Sequence, residues 1–420
     1  MINLLIIAIK FIFLLGFLIF IHEGGHFIVA KLCKVTVLNF SIGFGPIIFK
    51  KKAKETLYTI RLIPLGGFVK LEGEEEASNN EGSFSNKTIP QKIAVVIAGG
   101  SINIIFGLIV YFILVASTNT YISNIVDNVE VNSGAQIAGI MPEDEILKVN
   151  NKAIHLRSDL KKALDEANGK ELEVQLKRNN EIININVLPK EEKEKNTGIY
   201  FGAEDEKITA QIKAVYPGSP AEQAGIKKGD IIKKINGEKV DNNAYKAIKI
   251  INNSQDEKIS FNINRNGEEF IVYVIPDIYS TYYLGITLKE VPKTFWLSIK
   301  YGFCDTLDFS ASIVDNLKLL FSGKVSANQL MGPIGISTMV ADTNGFVEFI
   351  YLLALISLSL GVTNLLPIPP LDGWKVVEYL IELIRRKPMN DKLRINIEML
   401  GFAFMIVLSI YVAYNDILRI

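Results

Sequence analysis

Four apolar stretches, each long enough to cross the roughly 30 Å hydrocarbon core of a bilayer, run through this chain at residues 4–30, 93–117, 346 to about 371, and 399–414. Inside lipid every backbone N–H and C=O must find its partner within the segment, so such runs leave the chain little choice but membrane-spanning helices. An apolar share of 49% fits that restriction. The first run is longer than the apolar part of a secretory signal and continues past two histidines to Ala30 without a small-residue cleavage site, so it is expected to be retained.

Basic residues orient the spans. Lys31, Lys34, Lys50, Lys51, Lys52 and Lys54 follow the first, and Arg385, Arg386, Lys387, Lys392 and Arg394 separate the third from the fourth. The positive-inside rule puts both loops in the cytosol, and the termini and residues 118–345 outside. A formal net charge of zero removes the long-range attraction on which nucleic-acid binding depends, so no nucleic-acid partner is expected. The two cysteines, Cys33 and Cys304, have neither CxxC spacing nor the density of a disulfide framework.

The outer segment contains a repeat. Ser133, Ala135, Ala138, Gly139, Ile140, Asp144, Ile146 and Asn150 recur as Ser219, Ala221, Ala224, Gly225, Ile226, Asp230, Ile232 and Asn236, an offset of 219 − 133 = 86. Each copy continues into a helical stretch and then alternating strands, which predicts two small α/β modules. The SPAEQAGIKKGD pattern from Ser219 resembles the bacterial PDZ family, and the copy around Gly134 is a weaker match. That resemblance implies loops that bind extended peptides or chain ends by strand addition, at Thr197, Gly198, Ile199 and Tyr200 and at Leu284, Gly285 and Ile286. Modules that only block access or act as spacers fit the sequence equally. Between the first two spans, residues 35–71 alternate apolar and polar and read as a β-hairpin at the cytosolic face, while residues 294–321 have the amphipathic pattern of an interfacial helix.

His22-Glu23-Gly24-Gly25-His26 is an HExxH pattern, with two imidazoles four residues apart on one helix face able to share a zinc ion. Glu23 can then take a proton from water activated by the metal and pass it to a leaving amine. The chain has three histidines, and ionisable groups at membrane depth cost about 2.5–3.5 kcal/mol each unless compensated. A chance pair is therefore disfavoured, and His155 reads as a surface residue of the first module.

Catalytic zinc usually takes a third protein ligand. The second and fourth spans carry no ionisable side chain, and Glu348 sits at the outer end of the third, which leaves Asp372 in Asn364-Leu365-Leu366-Pro367-Ile368-Pro369-Pro370-Leu371-Asp372-Gly373. Pro367, Pro369 and Pro370 break the helix, and broken backbone at membrane depth is tolerated only where it is buried in protein or lines a wet cavity such as an aqueous active site needs. Asp372 also suits an N-cap for a helix beginning near Gly373, and both roles can coexist. Asn364 can bond substrate backbone or a developing oxyanion, or simply join helices.

At these residues the chain resembles the site-2 protease family of intramembrane zinc metalloproteases, within it the bacterial RseP type. The motifs are HEGGH at 22–26, Gly66-Gly67-Phe68-Val69-Lys70, the tandem PDZ-like modules and NLLPIPPLDG at 364–373. The resemblance implies one Zn2+ on His22, His26 and Asp372, and Glu23 as general base. It also implies substrate contacts at Asn364, Pro367, Gly66, Gly67 and Phe68, the last three in a loop whose strand edge holds unwound substrate. Substrates would be single-span membrane proteins trimmed beforehand by another protease, such as anti-sigma-factor remnants, or leftover signal peptides. The modules would filter substrates by size or bind their chain ends or an accessory protein, and the enzyme would sit in a bacterial inner membrane with its site toward the cytosol. The competing reading is an inactive PDZ-containing membrane scaffold, which the retained Glu23 disfavours. Two positions depart from the pattern: Gly100 stands where proline is usual, leaving Asn103 without a role, and Trp374 stands where histidine is common.

The expected architecture is a polytopic α-helical membrane protein of four transmembrane helices, with a membrane-associated β-hairpin region and two tandem extracytoplasmic α/β PDZ domains. In order, residues 1–30 form the first span, 31–90 the β-rich loop, 91–117 the second span, 118–203 and 204–290 the modules, and 291–343 interfacial helices. Residues 344–384 hold the third span, 385–396 a cytosolic loop and 397–420 the fourth.

Overall fold

The computed structural model describes residues 2–74, 78, 80–201, 209–216, 218–322, 330–343, 345–387 and 389–419. They fall into two compact units, Met1–Thr118 with Phe295–Ile420, and Asn119–Thr294. The expected module boundary at 203 and 204, and the expected start of the third-span region at 344, lie outside the described residues.

The first unit opens with helix α1 (Ile2–Leu32), an almost uninterrupted apolar sequence whose Leu14 and Leu18 are fully buried in a cluster with Phe349, Leu352 and Leu353. Strands β1 (Val37–Ala53) and β2 (Thr56–Leu71) follow, turning at Lys54 in the left-handed region. The simple hairpin expected here proves to be folded over on itself. Residues 39–42 pair with 57–60 on one side and with 67–70 on the other, while 47–53 pair with 56–61. Irregularities around Gly43 and Gly45 let the long strands bend enough to make both registers. Helix α2 (Ile89–Ala116) begins after Thr88, whose backbone N–H donates to Gln91 Oε1 at 3.1 Å in half of a capping box.

The second unit holds strand β3 (Thr120–Val129), helix α3 (Gly134–Ala138), strands β4 (Glu145–Val149) and β5 (Lys152–Ala153), helix α4 (Arg157–Ala167), and strands β6 (Leu172–Arg178), β7 (Glu181–Val187) and β8 (Lys190–Asn196). It continues through β9 (Ile199–Tyr200), β10 (Ala214–Val215), α5 (Pro220–Gln223), β11 (Ile231–Ile235), β12 (Glu238–Lys239), α6 (Ala244–Asn253), β13 (Ile259–Arg265) and β14 (Glu268–Val274). Strands β15 (Asp277–Tyr283) and β16 (Ile286–Pro292) close it. One core gathers around Val126, Ile146, Leu160 and Leu176, and another around Ile212, Ile232, Phe261 and Ile263.

The conserved spacing of the repeat has a physical basis in these two cores. Ser133 and Ser219 each cap a short helix, accepting from Gln136 N–H and Glu222 N–H. Asp144 and Asp230 accept from Met141 N–H and Lys227 N–H, and each is gripped through two nitrogens by an arginine, Arg178 or Arg265, at 2.7–2.8 Å. Asn150 and Asn236, both at positive φ, accept from Glu173 N–H and Ser260 N–H.

The modules are nevertheless not consecutive. Strand β16 pairs with β3, giving the sheet order β16-β3-β4-β6-β7, and Leu284 is buried in the first core with Ile286 and Leu288 packed on it. The second core takes Phe201 and Ile199 from the stretch expected to end the first module. Residues 277–292 therefore belong to the first module, and the second is inserted within it; a division into 118–203 and 204–290 is corrected accordingly. The two glycine loops change owners with the strands. Gly285 lies over Ser133 and Gly198 over Ser219, so close that a Cβ would meet the serine Cβ at 2.2 and 2.1 Å. Ala135 N–H donates to Leu284 O and Ala221 N–H to Thr197 O, each at 2.9 Å. Gly285 and Ile286 thus serve the first module, and Gly198 and Ile199 the second.

The first unit resumes with helices α7 (Phe295–Phe321), α8 (Pro333–Ala341), α9 (Phe346–Asn364), α10 (Asp372–Arg385) and α11 (Asp391–Arg419). Among the described residues four helices are long and apolar enough to cross a membrane: Leu5–Leu32, Ile89–Ala116, Phe346–Asn364 and Lys392–Leu418. The third span is shorter than the apolar run suggested. Helix α9 ends at Asn364, because Pro367 cannot donate a helical hydrogen bond and disfavours the helical conformation in the residue before it. The 344–384 region is accordingly two helices joined by a proline loop, and α11 begins inside the expected 385–396 loop. The amphipathic α7 docks on α2, with Gly302 against Phe112 and Phe309 stacked on Tyr111 at 4.1 Å. Small residues let α2 and α9 touch, Gly100 lying against Gly361 O and Gly107 against Ala354 O.

Candidate metal centre

Helix α1 sets out His22 and His26 one turn apart, so both rings leave the same face. Their centroids are 4.9 Å apart and their planes nearly perpendicular, which turns both Nε2 atoms inward at a separation of 3.2 Å. Asp372 is the first residue of α10, and its Oδ2 lies 3.2 Å from His22 Nε2 and 3.3 Å from His26 Nε2. The N-cap position belongs to Leu371, so the capping role considered for Asp372 does not apply. The proline loop reaches the helix start through Gly373, where a Cβ would stand 2.2 Å from Leu365 O.

The result is an almost equilateral triangle of three lone-pair atoms from side chains only 13–21% exposed. Three such atoms repel one another unless a proton or cation sits among them. Tetrahedral zinc with nitrogen and oxygen ligands at about 2.0–2.1 Å spaces them by roughly 3.3–3.4 Å, so the donor set fits this ion in chemistry and in size. His26 is also held in the required tautomer: its Nδ1–H donates to Val95 O at 2.8 Å, leaving Nε2 free to ligate. Gly99 of α2 forms the wall behind the triangle. A Cβ there would fall 2.3 Å from His26 Nε2 and 2.8 Å from His22 Nε2, so any side chain would fill the place of the ion.

Glu23 is half-buried on the same turn and lies within electrostatic reach of both imidazoles and Asp372. The Gly67 backbone of β2 runs directly beside it, leaving no room for a Cβ, which would meet Glu23 Cγ at 2.9 Å. Of the other residues singled out by sequence, Gly66 and Phe68 flank Gly67, with Phe68 beneath the Arg61 guanidinium at 5.4 Å. Asn364 is the half-buried last residue of α9, and Pro367 is exposed in the loop that follows.

Sequence reasoning missed three neighbours. Gly99 was hidden in a run of small residues, Asn103 had no assigned role, and Lys375, one turn beyond Asp372, pairs with Glu74 at 3.0 Å. The Asp372–Lys375 spacing was a helical signal that could have been read. The Glu74 partner, 301 residues away, could not. At the two departures from the family pattern, Gly100 serves the contact with α9, and Trp374 Nε1 is buried without a hydrogen-bond partner.

A family model described as peptidase family M50 matches residues 10–408. The regulator of sigma E protease of Haemophilus influenzae is 30% identical over 445 residues, covering 98% of this chain and 98% of its own. Zinc metalloprotease RasP of Oceanobacillus iheyensis is 30% identical over 446 residues, covering 98% of this chain and 99% of its own. Among solved structures, the PDZ domain of HtrA3 bound to a phage-derived ligand matches 22% of this chain at 18% identity, with a TM-score of 0.19.

Proposed function

The chain belongs to peptidase family M50, zinc-dependent metalloendopeptidases of the site-2 protease type, and on that premise we propose that His22, His26 and Asp372 hold one zinc ion that serves the hydrolysis of membrane-embedded peptide bonds. The observation that carries the reading is the triangle of donor atoms, 3.2–3.3 Å on each side, between the first helix and a proline-broken segment some 350 residues away. When bound, zinc supplies Lewis-acid chemistry, polarising a carbonyl and lowering the pKa of water to about 7. Glu23 would take a proton from the attacking water on its carboxylate and deliver it to the leaving amide nitrogen, so no covalent intermediate would be needed. His26 keeps its Nε2 lone pair aimed at the ion through the Val95 carbonyl.

A transmembrane helix has no free backbone groups until it unwinds. The segment from Gly66 to Phe68 supplies backbone beside Glu23, and we assign it to pairing with an unwound substrate, with Asn364 and Pro367 on the far side of the cleavage site. Substrates are then single-span proteins of the bacterial inner membrane, such as anti-sigma-factor remnants or signal peptides, shortened first by another protease. The two outer modules are PDZ domains on this reading. They act as a filter against large substrates or bind chain ends, and the active site faces the cytosol. The repeated serine-capped helices and glycine loops support the module assignment.

Glu23→Gln tests the mechanism. The variant should retain zinc at the wild-type level in metal analysis while cleavage of a single-span reporter falls by about 10²–10⁴-fold. Cleavage at the wild-type rate would remove Glu23 from the reaction. Failure of the wild-type protein to retain zinc would instead remove the metal centre.

A further inference from the structure

The two imidazoles are not supported alike. His26 has a backbone carbonyl behind it, whereas His22 Nδ1 faces the side-chain amide of Asn103, with Nδ2 at 3.4 Å. Asn103 is fully buried in α2, and its Oδ1 has no hydrogen-bond partner among the described residues. Its backbone is fixed from the other side, because Ser357 of α9, also fully buried, donates its hydroxyl to Asn103 O at 2.8 Å. A buried polar group anchored this firmly, yet with half its amide unused, is expensive to keep for packing alone.

The contact with Nδ2 suits only one tautomer of His22. An amide nitrogen can only donate, so Nδ1 must accept and Nε2 must carry the proton, which it can share with Asp372 Oδ2. A metal on Nε2 requires the opposite arrangement, with the proton on Nδ1 and an acceptor in front of it. An asparagine amide is nearly symmetric in shape, and a half-turn about Cβ–Cγ exchanges its oxygen and nitrogen. The turn puts the NH2 group where the carbonyl oxygen stood, so the gain is made at His22, where a donor–donor contact becomes a hydrogen bond.

We propose that Asn103 is a positioning residue for the metal centre, presenting Oδ1 to His22 Nδ1–H and so fixing His22 Nε2 as a zinc ligand. The inference rests on the proposed zinc site and adds to it an outer partner on the second span, braced by Ser357 of the third.

The test compares Asn103→Leu, which keeps the size and removes the acceptor, with Asn103→Asp, which keeps the acceptor and adds charge. Zinc affinity of the full-length protein in detergent is measured by competition with a chelator, and the visible spectrum of the cobalt-loaded protein reports ligand geometry. Asn103→Leu should bind zinc about 10- to 100-fold more weakly and alter the cobalt spectrum, while Asn103→Asp should bind at least as tightly as wild type. A residue that merely packs helices predicts the reverse order, since leucine suits the interior and a carboxylate does not. Wild-type affinity in the Leu variant, or loss of zinc from a folded Asp variant, overturns the proposal. Should Asn103→Leu not fold, Asn103→Asp decides alone by the same reading. A wild-type protein that binds no zinc sinks the metal centre and this inference together, whereas equal binding by wild type and Asn103→Leu sinks this inference only.

Discussion

The unit of two modules, Asn119–Thr294, and the unit that holds the apolar helices treat a buried carboxylate in opposite ways. Asp144 and Asp230, 1% and 0% exposed, are closed off by donors: an arginine through two nitrogens and a backbone N–H each. Asp372 Oδ2 is buried too, but among the described residues the atoms set closest against it are two imidazole nitrogens, which carry lone pairs or protons according to tautomer. A carboxylate that stabilises a fold has its lone pairs used within the protein, and the same solution can then be copied from one module to the next. The Asp372 carboxylate instead converges with two imidazoles, an arrangement that suits the proposed cation site.

The contrast breaks most visibly at Asp372. Asp372→Asn should lower zinc affinity and reporter cleavage by more than about 100-fold, beyond the range of an outer-sphere substitution, while thermal unfolding of the two-module unit stays unchanged. Unaltered zinc content would deny the carboxylate its ligand role. Asp144→Asn or Asp230→Asn should do the opposite, leaving zinc in place and destabilising the two-module unit by about 1.5–3 kcal/mol, since each removes the charge from a buried acceptor of a two-nitrogen arginine contact. Urea unfolding of the Asn119–Thr294 fragment measures this, and a loss below about 0.5 kcal/mol would mean the pair contributes no more than a surface bridge.

The smallest effect is in the pH dependence of the first module. Burial raises the Asp144 carboxyl, but the Arg178 hydrogen bonds and charge, with the Met141 N–H, outweigh it and hold the group below the ordinary carboxylate range. Its contribution is therefore complete above the unfolded value of about 3.9 and is lost as pH falls through the lower folded value. Melting temperatures of the Asn119–Thr294 fragment should decline more steeply below about pH 4 in wild type than in Asp144→Asn. Parallel profiles would show that Asp144 does not set the acid limit.

Much of this was legible along the chain, because the governing physics is local. A 3.6-residue turn puts residues four apart on one face, so His22 and His26 converge wherever α1 goes. An apolar run of span length must be helical in lipid, and the serine, glycine, aspartate and asparagine positions of the modules repeat as a pattern because each serves a contact made within one small unit, while their arginine partners Arg178 and Arg265 fall outside that register. Asp372 was found by elimination, since so few carboxylates lie at membrane depth.

What the tertiary structure alone decided depends on segments far apart in sequence. Strand β16, at the end of the two-module unit, returns to complete the first module, with Ser123 donating to Lys289 O across 166 residues. The doubled register of β1 and β2, the end of α9 at Asn364, the contact of Gly99 with both histidines and the chain from Ser357 through Asn103 to His22 are of the same kind. Such contacts leave no period to read, because the sequence sets which residues each element offers while the packing of elements sets which of them meet. The sequence offers His22 and His26 as a candidate metal pair, but only the fold brings Asp372 to the third corner and Asn103 behind the first.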